Sequence, residues 1–314
     1  MRLYPLKFRP ILKQRIWGGQ KLQDYGKEIP SGEKIGESWE LADLPEDKSV
    51  ISNGELAGQT LSSAIQKYPK DITGDENFTG PFPLLIKLLD AQDILSVQVH
   101  PDEQTCERLG KGKPKTECWY IIAAEPGAVI YKGLKKGVSK DTFAAAIQQG
   151  NVAELLTKVT VEAGECHFIP AGTAHSIGAG LLIAEIQTPS DTTYRVFDFN
   201  RVDDTGKPRQ LHIEAALESI HFDASEDNLS VTTTGRLVDC KYFKIDKGHQ
   251  GQNCELLLSA GKMKTLIILA GLGTILPADG NPVEFKAGDT ILVPAAYEGA
   301  IRFAADTQYL TVTI

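Results

Sequence analysis

The sequence is short of sulfur and of positive charge. Five cysteines, Cys106, Cys118, Cys166, Cys240 and Cys254, are odd in number and widely spaced, and no two form a CxxC pair. That excludes a fully paired disulfide framework and thiolate zinc motifs, and it predicts free thiols in a reducing cytoplasm. No run approaches the roughly 18 apolar residues of a membrane-spanning helix. The N-terminal MRLYPLKFRPILKQRIWGG carries charge throughout and has no apolar core of a secretion signal. Thirty-three Lys and Arg stand against 41 Asp and Glu, for a formal charge of -8. Such a chain has no general basic field for nucleic acid or an anionic membrane, so any anionic substrate must be held by local Lys and Arg. The expected location is cytoplasmic.

What is present is ordinary globular composition, 42% hydrophobic and 24% charged, in 314 residues. That length exceeds a typical domain of roughly 100–200 residues and predicts two domains, or one with insertions. From residue 83 onward, short apolar or alternating runs end in turn chemistry. PLLIKLL (83–89), ILSVQVH (94–100), ECWYIIAA (117–124) and AVIYKGL (128–134) read as strands, with AQD (91–93) and EPG (125–127) as turns. Strands resume at 159–172 and LLIAEIQ (181–187). Helices are expected at QTLSSAIQKYP (59–69), at LHIEAALESI (211–220), and in 140–159 as two short pieces broken at Gly150-Asn151. The fold class is therefore all-β with helical decorations, an antiparallel sandwich or barrel.

An internal repeat points to two related barrels. AGECHFIPAGTAH contains Gly164-x5-Pro170 with an acid after the glycine and an apolar strand before the proline; AGDTILVPAAYEG repeats it as Gly288-x5-Pro294 with Asp289. The second copy has no counterpart of His175. The expected division is 1–222 for the catalytic domain and 223–314 for a second, degenerate barrel without metal ligands.

Strand parity puts Ser96, Gln98 and His100 on one face and Val97 and Val99 on the other. Glu117 begins the strand that follows the Lys-rich loop KGKPKT, and His175 follows PAGTA. An amide oxygen, two imidazoles and a carboxylate suit a borderline divalent ion, Zn²⁺, Fe²⁺ or Mn²⁺.

Gln98-x-His100, then Glu117, then Gly164-x5-Pro170-x-Gly172-x2-His175 resembles the two-part signature of the cupin barrel. Gln where cupins usually carry His is a feature of one family, the type I mannose-6-phosphate isomerases, and the chain is most similar to their short bacterial members. IWGG (16–19), GESWEL (36–41), SVQVHP (96–101) and Ser190-Asp191-x3-Arg195 fit the same family, over roughly residues 10–205. The resemblance implies two jelly-roll barrels of the cupin type and interconversion of mannose 6-phosphate and fructose 6-phosphate through a cis-enediol. It also implies one Zn²⁺ per chain on Gln98, His100, Glu117 and His175.

Arg195, with its permanent charge and planar fork, is the expected catalytic residue outside the metal set, for an enediolate or phosphate oxygen. Lys115 is a candidate base, against the alternative of a solvated lysine in KGKPK. Ser96, Lys132 and Trp17 are candidate substrate contacts, with Lys135 and Lys136 as further charge and Trp39 and Trp119 as core or sugar-lining aromatics. His167, His212, His221 and His249 have no assigned role. The chain departs from family patterns at Thr116, where many members have proline, at Thr192, where asparagine is usual, and by one extra residue before Glu185; the long helical domain of larger members is missing. The partner is a small sugar phosphate, with neither nucleic acid nor membrane, and the assembly is a monomer or homodimer. Two other readings are a cupin metal dioxygenase and a non-catalytic sugar-binding cupin; Gln98 and Arg195 count against the first, and the full ligand set against the second.

Overall fold

Strands that read as nearly unbroken apolar runs need cover on both faces, and the computed structural model shows what supplies it. It describes residues 2–202, 206–223, 231–277 and 280–314. The first strands are β1 (Leu6–Lys7), β2 (Ile11–Gly19), β3 (Ile35–Leu41), β4 (Leu85–Ala91), β5 (Val97–Val99) and β6 (Glu117–Ala124). They are followed by β7 (Val129–Leu134), β8 (Leu156–Thr160), β9 (Cys166–Ile169), β10 (His175–Ile177), β11 (Leu181–Gln187) and β12 (Tyr194–Phe197). The later strands are β13 (Val231–Thr232), β14 (Arg236–Asp239), β15 (Lys244–Gln250), β16 (Glu255–Leu258) and β17 (Lys264–Ala270). The last are β18 (Leu272–Pro277), β19 (Val283–Lys286), β20 (Thr290–Val293), β21 (Gly299–Phe303) and β22 (Thr307–Thr313).

Two antiparallel barrels result. The first faces the sheet β13-β9-β6-β11-β4-β3-β2 with β12-β5-β10-β7-β8; the second faces β1-β20-β17-β22-β15-β14 with β16-β21-β18-β19. Each is a jelly roll of the cupin type. The two large sheets lie back to back: Ile86, Leu88, Cys118 and Ile186 of the first share one core with Ile245, Ile267, Leu292 and Leu310 of the second. The inner faces of the same first-barrel strands pack Leu89, Trp119, Ile121 and Ile183 into a separate core. β4 and β11 are therefore buried at every position. The ends interlock: β1 pairs with β20, and β13 pairs with β9.

Both repeat glycines serve the same turn. Gly164 (φ 98°) and Gly288 (φ 89°) occupy the left-handed region just before β9 and β20, a conformation that favours glycine. The helices decorate the barrels: α1 (Leu61–Lys67), α2 (Pro69–Thr73), α3 (Glu103–Leu109), α4 (Lys140–Gln149) and α5 (Ile213–Ser219). The second helical piece expected in 140–159 is instead a short 3₁₀ turn, Val152–Leu155, leading into β8. Val97 and Val99 point away from the barrel into a core built with Phe143 of α4 and Ala216 of α5. With the valines so buried, Gln98 must face the barrel interior.

Candidate active site

Three short strands and one loop end bring the chemistry together. Gln98 of β5 is the cross-strand partner of His175 on β10 and of Arg195 on β12. His100 follows β5, and Glu117 opens β6. The ligand atoms of His100, Glu117 and His175 all lie within 4.8 Å of one another, and the three residues are buried. His100 Nε2 is 3.3 Å from Glu117 Oε2 and His175 Nε2 is 3.6 Å from Glu117 Oε1. The imidazoles are oriented from behind. Nδ1 of His100 bonds the Thr192 carbonyl (2.9 Å) and Nδ1 of His175 bonds the Thr173 carbonyl (2.8 Å). A carbonyl only accepts, so each Nδ1 carries the proton and each Nε2 lone pair faces the shared centre.

Burial, and then the Lys115 ammonium, push His100 down to about 3, and burial holds His175 below its ordinary value, so both rings are neutral near pH 7. Burial opposes charge on Glu117, but the Lys115 ammonium beside it holds its carboxyl well below the usual range. His100 Nε2 and Glu117 Oε2 are buried without a hydrogen-bond partner. Lys115 Nζ stands 2.9 Å from that oxygen as an ion pair. A buried imidazole lone pair with no donor, as on His100 Nε2, is rare in a folded protein unless something binds it. Two neutral imidazoles and a carboxylate fit a divalent metal ion, and the Gln98 side chain stands beside them, its terminal amide nitrogen 3.2 Å from His175 Nε2. Turning that amide by 180° presents its oxygen instead.

Beside the cluster opens a cavity of about 430 Å³, whose wall includes Trp17, Ser96, Gln98, Lys115 and Arg195. Five of the sequence-derived site residues therefore meet in one space. Arg195 donates from Nε to Ser96 Oγ (3.3 Å) and from Nη1 to the Gln210 carbonyl (2.9 Å). It has no carboxylate partner among the described residues: Asp198 is taken by Arg201 and Arg209. Lys132 lies elsewhere. It is the cross-strand partner of His175, yet it lines a different cavity together with Lys135 and Lys136, and burial lowers it to about 8.

Residues without an assigned role in the sequence also line the site. Arg15, Glu37, Lys87, Glu185 and Arg209 share its wall. Lys87 Nζ lies 2.9 Å from Glu185 Oε1 and 3.8 Å from Glu37 Oε2, and Arg15 Nε bonds Glu37 Oε1 at 2.8 Å. One signal for Lys87 was available: a lone lysine inside the apolar run PLLIKLL must be paired once buried. His167, left unassigned, is buried with Nε2 3.1 Å from Glu165 Oε2. The two departures leave the ligands intact. Thr192 serves His100 through its backbone, and Thr116 donates its amide to Thr188 Oγ1 (3.2 Å), a bond proline could not make.

The model of the family "Phosphomannose isomerase type I, catalytic domain" matches residues 5–118. The mannose-6-phosphate isomerase ManA of Bacillus subtilis is 37% identical over 310 residues, covering 94% of this chain and 94% of that protein. The chain belongs to the type I phosphomannose isomerase family. Its similarity to the mannose-6-phosphate isomerase of Streptococcus mutans is 36% identity over 297 residues, 92% of each chain. The crystal structure of a Bacillus subtilis mannose 6-phosphate isomerase superposes with a TM-score of 0.88 at 29% identity, over 99% of both chains. The apo enzyme of Salmonella typhimurium, 16% identical, shares the fold with a TM-score of 0.76. No helix among the described residues is long and apolar enough to cross a membrane.

Proposed function

We propose that this chain interconverts mannose 6-phosphate and fructose 6-phosphate, with one Zn²⁺ held by Gln98, His100, Glu117 and His175. The observation that carries the reading is a buried, partly unpartnered N/O donor cluster beside a cavity whose wall gathers Arg15, Lys87, Lys115, Arg195 and Arg209. Five cations around one cavity suit a dianionic sugar phosphate, and the relatives are named mannose-6-phosphate isomerases. The dioxygenase and sugar-sensor readings lack both supports.

Bound zinc would supply Lewis-acid stabilisation of negative charge on the sugar oxygens. The chain's own residues do the rest. Isomerisation moves one proton between C1 and C2 through a cis-enediol, and Lys115 Nζ, buried at the cavity wall, is the proposed carrier of that proton. The Arg195 guanidinium, anchored by Ser96 and Gln210, faces an enediolate or phosphate oxygen with its remaining N–H groups. Trp17 offers an apolar wall against the sugar, and the buried strands around Glu117 keep bulk water from the reacting carbons.

The catalytic role is assigned to residues 1–222, and residues 223–314 are read as a barrel without ligands. One chain supplies every residue of the site, which suits a monomer or a homodimer whose subunits act independently. Five free thiols suit the cytoplasm. A coupled assay of fructose 6-phosphate formation from mannose 6-phosphate, before and after chelator dialysis, tests the whole. Activity should vanish on chelation and return with Zn²⁺; activity untouched by a chelator that removes all metal overturns the reading.

A further inference from the structure

Two strands of the large first-barrel sheet carry the same three-residue device. On β3, Trp39 Nε1 donates to Glu37 Oε2 at 2.6 Å; on β6, Trp119 Nε1 donates to Glu117 Oε1 at 3.0 Å. Residues two apart on a strand share a face, so an indole can reach back to a carboxylate on its own strand. Both indoles are buried, at 1% and 0% exposure. They differ in what else they touch. Among the described residues Trp39 spends its N–H on Glu37 alone, whereas Trp119 Nε1 also lies 3.2 Å from Glu185 Oε2. Glu185 is the cross-strand neighbour of Trp119 on β11, and Lys87 holds its other oxygen from β4 at 2.9 Å.

One N–H therefore stands between two buried carboxylates, and one of those carboxylates belongs to the metal set. The ring also meets His175 edge-on, with centroids 5.3 Å apart. We infer that Trp119 is a positioning residue: its single N–H fixes Glu117 Oε1 for the metal and holds Glu185 beside it at the cavity wall. This rests on the reading of His100, Glu117 and His175 as metal ligands. An indole nitrogen donates, cannot accept and does not titrate in the working range, so it bridges two anions without a protonation change. Without it, two like charges would face each other with nothing between them.

The test is Zn²⁺ affinity by competition with a chromophoric chelator, measured on the full chain, on Trp119→Phe and on Trp39→Phe, with circular dichroism as the check of folding. Trp119→Phe keeps the ring and deletes the N–H; its affinity should fall about ten- to hundredfold, with kcat falling more than KM rises. Trp39→Phe, which deletes the same kind of bond in the same sheet, should stay within about twofold of the unaltered chain. Equal affinity in Trp119→Phe and the unaltered chain overturns the inference, as does an equal loss in both variants, which would mean general loosening of the sheet. If the unaltered chain binds no Zn²⁺, the metal reading itself falls and the inference with it. Should Trp119→Phe not fold, Glu185→Gln takes its place. That change removes the second negative charge while keeping an acceptor oxygen, so the indole N–H is drawn to Glu117 and affinity should hold or tighten; a tenfold loss would show that Glu185, not the indole, orients Glu117.

Discussion

The two barrels share strand order and a Gly-x5-Pro turn but not their interiors. Register makes the comparison position by position. His175 pairs with Gln98 and Lys132; its counterpart Gly299 pairs with Leu258 and Pro277. Glu117 lies opposite Ile169, and Lys264 opposite Val293, the residue that holds the same place before Pro294 as Ile169 holds before Pro170. The places of Gln98, Glu117 and His175 are thus taken by Leu258, Lys264 and Gly299. Where the first barrel buries Lys87, Glu117, Glu185 and two imidazoles, the second packs Leu266, Ile268, Phe285 and Phe303. A jelly roll is indifferent to which it holds: the chemistry belongs to a few inward side chains, and the sheet only sets their spacing.

That contrast can be broken or sharpened by experiment. Glu117→Ala should cost about a thousandfold or more in turnover and lower zinc content well below one per chain, measured by coupled assay and metal analysis. Lys264→Glu, at the matching position of the second barrel, should leave zinc stoichiometry unchanged. Arg195→Ala should lower turnover about a hundredfold with normal zinc content; unchanged turnover would remove it from the mechanism. Lys87→Met leaves the buried Glu185 without its ion-pair partner, while Glu37 keeps Arg15, and should cost about 3–5 kcal/mol in denaturant unfolding. Ile268→Ala, inside the second barrel, should cost about 2–5 kcal/mol by leaving a cavity without altering zinc affinity.

The smallest effect is a pH dependence. Burial opposes charge on Glu37, but Lys87 and Arg15, with the Trp39 N–H, lower its carboxyl to about 2 from an unfolded value near 4.5. A depressed carboxyl stabilises the fold above the unfolded value, and that contribution is lost as pH falls from about 4.5 through about 2. Acid unfolding of Glu37→Gln should therefore show a shallower slope in that window than the unaltered chain.

Much of the first barrel was legible in the chain itself. The strands at 117–124 and 181–187, the break at Gly150 and the repeat at Gly288 all follow from local pattern and turn chemistry, and the structure places them there. The cluster of His100, Glu117 and His175 was legible because donor residues stood at fixed spacings beside a glycine-proline turn, and the structure brings their ligand atoms within 4.8 Å of one another. Lys132 pairs with His175 in the sheet yet is not on the wall shared by Trp17, Ser96, Lys115 and Arg195, a distinction that spacing along the chain does not carry.

By itself, the sequence determined the all-β pattern, the Gly-x5-Pro repeat and the spacing of His100, Glu117 and His175, because each is written in local spacing and residue type. Only the tertiary structure decided that Arg15, Glu37, Lys87 and Glu185 form one charged wall and that Trp119 stands between two carboxylates. Those side chains come from β2, β3, β4, β6 and β11, which are far apart in the chain and become neighbours through the sheet order β6-β11-β4-β3-β2. The pairing of distant strands follows from burying both faces of that sheet at once, a property of the whole fold that no short segment carries.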